Sequence, residues 1–85
     1  MWILHQNKEV ILNTDNVLSI EYSNYPPHSL NVEKKHAVIC WSGGEELSSD
    51  IMMGTYLSKE RCLEVIQDIV KNIHLKNPTY EMPEK

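Results

Sequence analysis

The chain has 85 residues, a hydrophobic content of 41% and a formal net charge of -4. This length corresponds to one domain, because single domains usually contain roughly 50–250 residues. A domain of this size holds one modest core, which excludes a large internal cofactor cavity. The apolar content is too high for a disordered chain. The excess of acidic residues argues against a function in binding nucleic acids or anionic membranes, because such binding depends on clustered lysines and arginines.

The compartment is predicted from the amino terminus and the cysteines. Residues 1–6 lack the basic region and the long apolar stretch of a secretory signal. The longest apolar run, residues 37–41, is far shorter than the roughly 18 residues that a membrane-spanning helix needs. Two cysteines, Cys40 and Cys62, are too few for a disulfide-stapled secreted domain. We therefore expect a soluble cytoplasmic protein with free thiols.

Short apolar runs between turn residues predict strands in the first half of the chain. Five such runs lie at residues 1–5, 10–12, 17–22, 36–41 and 46–53. In the third run, alternation places Leu18, Ile20 and Tyr22 on one face. In the fourth, it places Ala37, Ile39 and Trp41 together as the apolar face. A glycine pair at residues 43–44 predicts a hairpin turn, and two adjacent prolines make residues 23–33 a loop.

Apolar spacings of three and four predict one helix in the second half, starting after the N-cap Ser58 and ending near Ile73 or His74. Its broad apolar face consists of Cys62, Leu63, Val65, Ile66, Ile69, Val70 and Ile73. Such a face needs a sheet to cover it. The predicted fold is therefore α+β, an antiparallel sheet of about five strands with one C-terminal amphipathic helix packed on one face.

Residues 1–76 are expected to form the single α+β domain, and residues 77–85 a polar C-terminal tail. Within that tail, Tyr80 and Met82 are the only apolar anchors. The pattern leaves open whether the tail docks on the sheet.

Catalytic and metal-binding arrangements find little support in the sequence. His36 and Cys40 share a strand face but lie roughly 13 Å apart along it, too far to bind one zinc ion by themselves. We interpret both cysteines as small buried hydrophobic residues, the usual behaviour of free cysteine. Burial raises the thiol pKa and weakens the nucleophile. Phosphate-binding glycine motifs are absent from the sequence. We expect no enzyme activity, no cofactor and no metal.

The aromatic residues and a proline-containing loop are the candidates for an interaction surface, because aromatics are enriched at binding hot spots. These candidates are Tyr22, Tyr25, Pro26, Pro27, His28, Trp2 and Trp41. In the alternative interpretation, Tyr22 packs in the core and the loop is only a connector. Each tryptophan either completes the core or lies in a dimer contact.

Several short motifs resemble a group of short hypothetical proteins from Gram-positive bacteria and their phages. They are the opening Met1-Trp2-Ile3, the run Val10-Ile11-Leu12-Asn13, the turn Gly54-Thr55-Tyr56, the helix segment 64–69 and the closing Tyr80-Glu81-Met82-Pro83. The longer, proline-bearing middle loop departs from the typical member. The resemblance implies a shared fold and a bacterial or mobile-element setting, and it implies no activity for any residue.

The leading functional hypothesis is a small non-enzymatic protein that acts as a protein–protein interaction module or a homo-oligomer such as a homodimer. The alternative is a mobile-element accessory protein that binds nucleic acid. The basic residues in its favour, set against the net charge of -4, are Lys34, Lys35, Lys59, Arg61, Lys71 and Lys76. A small enzyme or metalloprotein has the least support.

Overall fold

The computed structural model describes residues 1–24, 36–43 and 48–85. The predicted interaction residues Tyr25, Pro26, Pro27 and His28 lie outside these ranges. Six strands, one short 3₁₀ helix and one α-helix occur in the described part. In chain order they are β1 Trp2–Leu4, β2 Ile11–Asn13, the 3₁₀ helix Thr14–Asn16, β3 Val17–Ser23, β4 His36–Gly43, β5 Ser48–Tyr56, α1 Lys59–His74 and β6 Thr79–Glu81.

The α+β class and the single C-terminal helix are confirmed, but the prediction of one five-stranded antiparallel sheet is wrong. The described strands form two three-stranded sheets, in the orders β2-β1-β6 and β3-β4-β5. The larger sheet is antiparallel throughout. In the smaller one, β1 runs antiparallel to β2 and parallel to β6. Strand β6 escaped prediction because it has only three residues, of which only the middle one is apolar.

Gln6 joins the two sheets by completing the hydrogen bonding at one edge of β5. Its backbone N–H donates to the carbonyl oxygen of Met53 at 2.9 Å. Its side chain then accepts from the N–H of Thr55 and donates to the carbonyl oxygen of the same residue, both at 3.0 Å. The side-chain amide thus supplies the donor and acceptor that a neighbouring strand would offer. This pairing fixes the smaller sheet beside β5.

Helix α1 begins and ends where the sequence predicts. The Ser58 hydroxyl accepts a hydrogen bond from the backbone N–H of Arg61 at 3.1 Å, the N-cap geometry expected for serine. The helix buries Cys62, Val65 and Ile69 against the larger sheet. It therefore forms a second layer over one face of β3, β4 and β5.

The core face of β4 is the opposite of the predicted one. Val38 and Cys40, both fully buried, belong to the core cluster that contains the helix residues. Ala37 and Ile39 alternate with them and are also buried, while Trp41 is half-buried. A central strand of consecutive apolar residues carries no clear alternation of apolar and polar positions. The local sequence therefore does not determine which face of β4 points toward the core.

A bulge changes the predicted face of β3. The pairing of β3 with β4 shifts register between Val17 and Ser19. Leu18, which alternation grouped with Ile20 and Tyr22, is 70% exposed, whereas those two residues pack against the core. An extra residue in a strand interrupts the two-residue period, which explains the difference.

The segment 77–85, predicted as a polar tail, is docked through its two apolar anchors. Tyr80 and Met82 are 7% and 1% exposed, respectively. The Tyr80 hydroxyl donates to a carboxylate oxygen of Asp68 at 2.9 Å, and the Tyr56 hydroxyl donates to the carbonyl oxygen of Pro83 at 2.8 Å. The question that the sequence left open is therefore answered: this segment packs against the rest of the domain.

Candidate interaction surface

The structure does not gather the described candidate residues into one patch. Trp2 is 44% exposed and lies in β1, the middle strand of the smaller sheet. Tyr22 lies on the side of the larger sheet that α1 covers. Trp41 lies on the other side, because its neighbour Cys40 faces the core. These three aromatic residues thus occupy three separate surfaces.

Tyr22 forms a small cluster with His36 and Lys59 at the N-terminal end of α1. Its hydroxyl oxygen lies 2.7 Å from Nδ1 of His36, and the two rings stack with centroids 5.8 Å apart. The Lys59 ammonium lies 5.2 Å from the centroid of the Tyr22 ring, a cation–π contact. Burial, together with the neighbouring Cys62 and Glu60, raises the pKa of Tyr22. The hydroxyl of Tyr22 is thus engaged by His36, and its ring is engaged by Lys59.

Both thiols are buried, as the sequence predicts, and both are poor nucleophiles. Burial raises the pKa of Cys40 to about 11. It also raises the pKa of Cys62 to about 11, against a partial opposing effect of the Arg61 charge. The thiolate is the reactive form, so these cysteines are protonated and inert at neutral pH. Across residues 1–24, 36–43 and 48–85, no three His, Cys, Asp or Glu side chains are placed to hold a metal ion.

The stability of the fold is expected to fall between pH 9 and pH 11. An unfolded thiol ionises near its ordinary pKa of 9.0, whereas folded Cys40 and Cys62 retain their protons up to about pH 11. The unfolded state therefore binds fewer protons in this window, and stability present below pH 9 is lost as the pH rises. Tyr56, with a pKa raised to about 12 by burial, extends the loss above pH 10.

Urea denaturation followed by tryptophan fluorescence at several values between pH 8 and pH 11 measures this decline. As a control at pH 8, a thiol reagent should label both cysteines in urea and neither in buffer. A free energy of unfolding that stays constant to pH 11 would contradict the inferred burial of the two thiols.

One flank of α1 is covered by the C-terminal segment. The Asp68 carboxylate accepts from the Tyr80 hydroxyl, as described above. Further along the helix, the side-chain amide of Asn77 donates to the side-chain oxygen of Asn72 at 2.6 Å. These contacts bind α1 to β6 and to the turn that precedes it. They leave the opposite flank of the helix as the candidate surface.

That opposite flank carries a row of apolar side chains, Leu63, Ile66, Val70 and Ile73, which we call the α1 stripe. Ile66 is half-buried against the core, whereas Leu63, Val70 and Ile73 are 43%, 53% and 47% exposed. Their spacing of three, four and three residues aligns them along the helix. Single exposed apolar residues are ordinary, but an aligned row forms a patch typical of interaction sites.

The α1 stripe corrects the prediction that the sheet covers the whole apolar face of the helix. The sheet covers the side of α1 that carries Cys62, Val65 and Ile69. The signal was present in the sequence, because seven apolar positions span about half of the helical circumference. An apolar stripe that faces a core needs to span only about 100°. The α1 stripe is therefore the part of the apolar face that the sheet leaves exposed, and the emphasis on aromatic residues does not predict it.

Charged side chains along the outer border of the stripe are sorted by sign. Glu60 and Glu64 lie in the first half of the helix, and Lys71 and His74 in the last turn. Glu64 also accepts from the Arg61 guanidinium at 3.2 Å, an exposed i, i+3 ion pair of modest strength. The border is thus acidic at one end and basic at the other.

In the part of the chain that the structure describes, no helix is long and apolar enough to cross a membrane. No protein-family model, curated protein or solved structure matches the chain.

Proposed function

We propose that this chain is a non-enzymatic protein-interaction domain that binds its partner through the α1 stripe. The observation that carries the proposal is the exposure of Leu63, Val70 and Ile73. They lie on a helix whose opposite apolar side, with Cys62, Val65 and Ile69, is buried. Burial of apolar surface is worth roughly 25 cal/mol for each Å² removed from water. A partner that covers the stripe therefore gains binding energy at a site which the fold already holds rigid.

The helix beneath the stripe is well suited to present it without rearrangement. It is capped at Ser58, buried along Cys62, Val65 and Ile69, and held by β6 on its far flank. A preordered surface loses little conformational entropy on binding. The two buried, protonated cysteines favour binding over catalysis as the role of this domain.

The setting that we propose is bacterial or phage-related and cytoplasmic. The resemblance of the opening, turn and closing motifs to short proteins of Gram-positive bacteria and their phages supports the first part. The two free, buried thiols support the second, because unpaired cysteines are typical of reducing compartments.

The proposal predicts that a single charge in the stripe strongly reduces partner capture. Tagged wild-type chain, Val70→Glu and Leu75→Glu are each used for affinity capture, with and without nuclease treatment, from host lysate that also contains untagged chain. Leu75 is 58% exposed but lies outside the stripe, at the C-cap, which makes it a matched control.

We expect the wild-type chain and Leu75→Glu to retain a protein at near-equal stoichiometry. We expect Val70→Glu to retain less of it by a factor of about ten or more, the factor for about 1.4 kcal/mol. Equal retention by all three chains would reject the stripe as the binding surface. Material that is lost only on nuclease treatment would instead support the nucleic-acid alternative.

A further inference from the structure

We infer that the partner which covers the α1 stripe is a second copy of this chain, bound across a two-fold axis with the two helices antiparallel. The inference rests on the proposed function and names its partner. A two-fold contact joins the same patch on both copies, so the patch must complement itself. The stripe and its charged border have this property.

The apolar residues of the stripe are symmetric about the middle of the helix. When two copies of α1 run antiparallel with Asp68 level with the axis, Leu63 lies opposite Ile73 of the second copy. In the same register, Ile66 lies opposite Val70 of the second copy. The spacing of three, four and three residues is also the spacing of the apolar seam in packed helix pairs. No apolar residue of the stripe is left opposite a charge.

The charged border becomes complementary in the same register. Glu64 lies opposite Lys71 of the second copy, and Glu60 near His74 of the second copy. Gln67 lies beside its own copy at the axis, where a charged residue would meet a like charge. Because each contact occurs twice, the acidic and basic ends of the border pair on both sides of the axis. A parallel arrangement would place Glu64 beside Glu64 and Lys71 beside Lys71.

A stable dimer needs more buried area than the stripe alone, and the edge of the larger sheet can supply it. Stable interfaces bury roughly 800 Å² on each partner, about one seventh of the 5907 Å² surface of this chain. The stripe lies on the flank of α1 that faces away from β6, and β3 is the outer strand of the larger sheet among the described residues. A two-fold axis normal to that sheet brings the two β3 strands together as antiparallel neighbours.

The orientation of α1 over β3 agrees with this arrangement. At its N-terminal end, Lys59 lies over Tyr22 near the end of β3. At its C-terminal end, Ile73 lines a depression with Thr14 and Asp15 of the 3₁₀ helix directly before β3, and with Met1 and residues 76–78. The helix therefore runs antiparallel to β3, so one axis relates both pairs of elements.

Sedimentation of the purified chain from about 1 µM to about 1 mM tests self-association directly. We expect a concentration-dependent dimer for the wild-type chain and for Leu75→Glu, and a monomer for Val70→Glu. A wild-type chain that stays monomeric to the highest concentration overturns the inference. It leaves the proposed function standing if lysate capture through the stripe succeeds, so the two failures are distinguishable.

A charge exchange tests the antiparallel register. Glu64→Lys and Lys71→Glu are each expected to raise the dimer dissociation constant about tenfold, because each places two pairs of like charges at the axis. The double variant E64K/K71E should return it to near the wild-type value. Circular dichroism of every variant verifies that the helix remains folded.

The charge exchange also separates dimer contacts from the effect of the helix dipole. Acidic residues early and basic residues late in a helix stabilise the monomer on their own. The double variant opposes the dipole in each chain, yet it restores the contact between copies. A dimer that is weakened by both single variants and weakened further by the double variant would overturn the antiparallel register.

Discussion

Replacing Met82 with alanine is expected to lower the free energy of unfolding by about 2–5 kcal/mol, the usual range for truncating a buried methionine. Met82 is 1% exposed and belongs to the same core cluster as Ile3 and Val38. Its backbone N–H donates to the carbonyl oxygen of Leu4 at 3.0 Å, which continues the pairing of β1 with β6. Because this hydrogen bond holds the backbone of Met82 in place, the segment cannot shift to fill the space that the shorter side chain leaves. A cavity therefore remains.

Leu75→Ala is the matched control for this truncation. Leu75 is 58% exposed, and an exposed side chain outside such a core typically contributes within about 0.5 kcal/mol. Urea denaturation of both variants at pH 7 and one fixed protein concentration measures the difference, since self-association makes stability concentration-dependent. Equal effects of the two substitutions would contradict the docking of the segment 77–85 against the core.

The helix and most strands were predictable because their signals are local. Ser58 can cap a helix with its own hydroxyl, and the apolar residues that follow it recur at helical spacing. The runs that form β2 and β3 are short and bounded by Asn and Asp, which favour turns. For these elements the information lies within a few residues of the element itself.

The sheet arrangement was not predictable because it depends on distant contacts. The pairing of β1 with β6 joins residues 2–4 with residues 79–81 and is signalled by a single apolar residue, Tyr80. The junction made by Gln6 with Thr55 depends on one side-chain amide, which reads as an ordinary turn residue in the sequence. Long-range pairings of this kind leave no period in the local pattern.

The candidate site was half-predictable for a related reason. The sequence names every residue of the α1 stripe as apolar and helical, but it cannot say how much of that face the sheet covers. The aromatic residues drew attention as typical hot spots, yet Tyr22 is engaged by His36 and Lys59. Tertiary packing decides whether an apolar residue lies in the core or on the surface, and the local sequence pattern does not contain this information.

The Gly54→Ala substitution is expected to destabilise the fold by about 1–3 kcal/mol through overpacking. Gly54 and Tyr56 are two residues apart in β5 and therefore share a face. A Cβ atom at Gly54 would lie 2.9 Å from the hydroxyl oxygen of Tyr56 and 3.2 Å from two of its ring carbons. The tyrosine ring occupies the space that a side chain at Gly54 would need.

The ring cannot easily yield that space. Tyr56 is 1% exposed, and its hydroxyl donates to the carbonyl oxygen of Pro83 at 2.8 Å. The Arg61 guanidinium lies 5.8 Å from the ring centroid on the helix side. A gain of about 0.4–1 kcal/mol from the reduced entropy of the unfolded chain, usual for glycine-to-alanine changes, only partly offsets the clash.

A double-mutant cycle with Tyr56→Phe assigns the cost to this contact. Phenylalanine removes the nearest atom, while the Pro83 carbonyl keeps a second donor in the Gln6 side-chain amide at 3.0 Å. We expect Gly54→Ala to cost less in the Tyr56→Phe background than in the wild-type chain, by about 0.5 kcal/mol or more, since residues in contact couple by that amount. If the two substitutions instead have additive effects on the free energy of unfolding, the destabilisation by Gly54→Ala does not come from its contact with the Tyr56 hydroxyl. A coupled result would explain physically why glycine occupies position 54 of β5. The missing side chain leaves the space into which the Tyr56 ring packs, and the Tyr56 hydroxyl then holds the C-terminal segment in place.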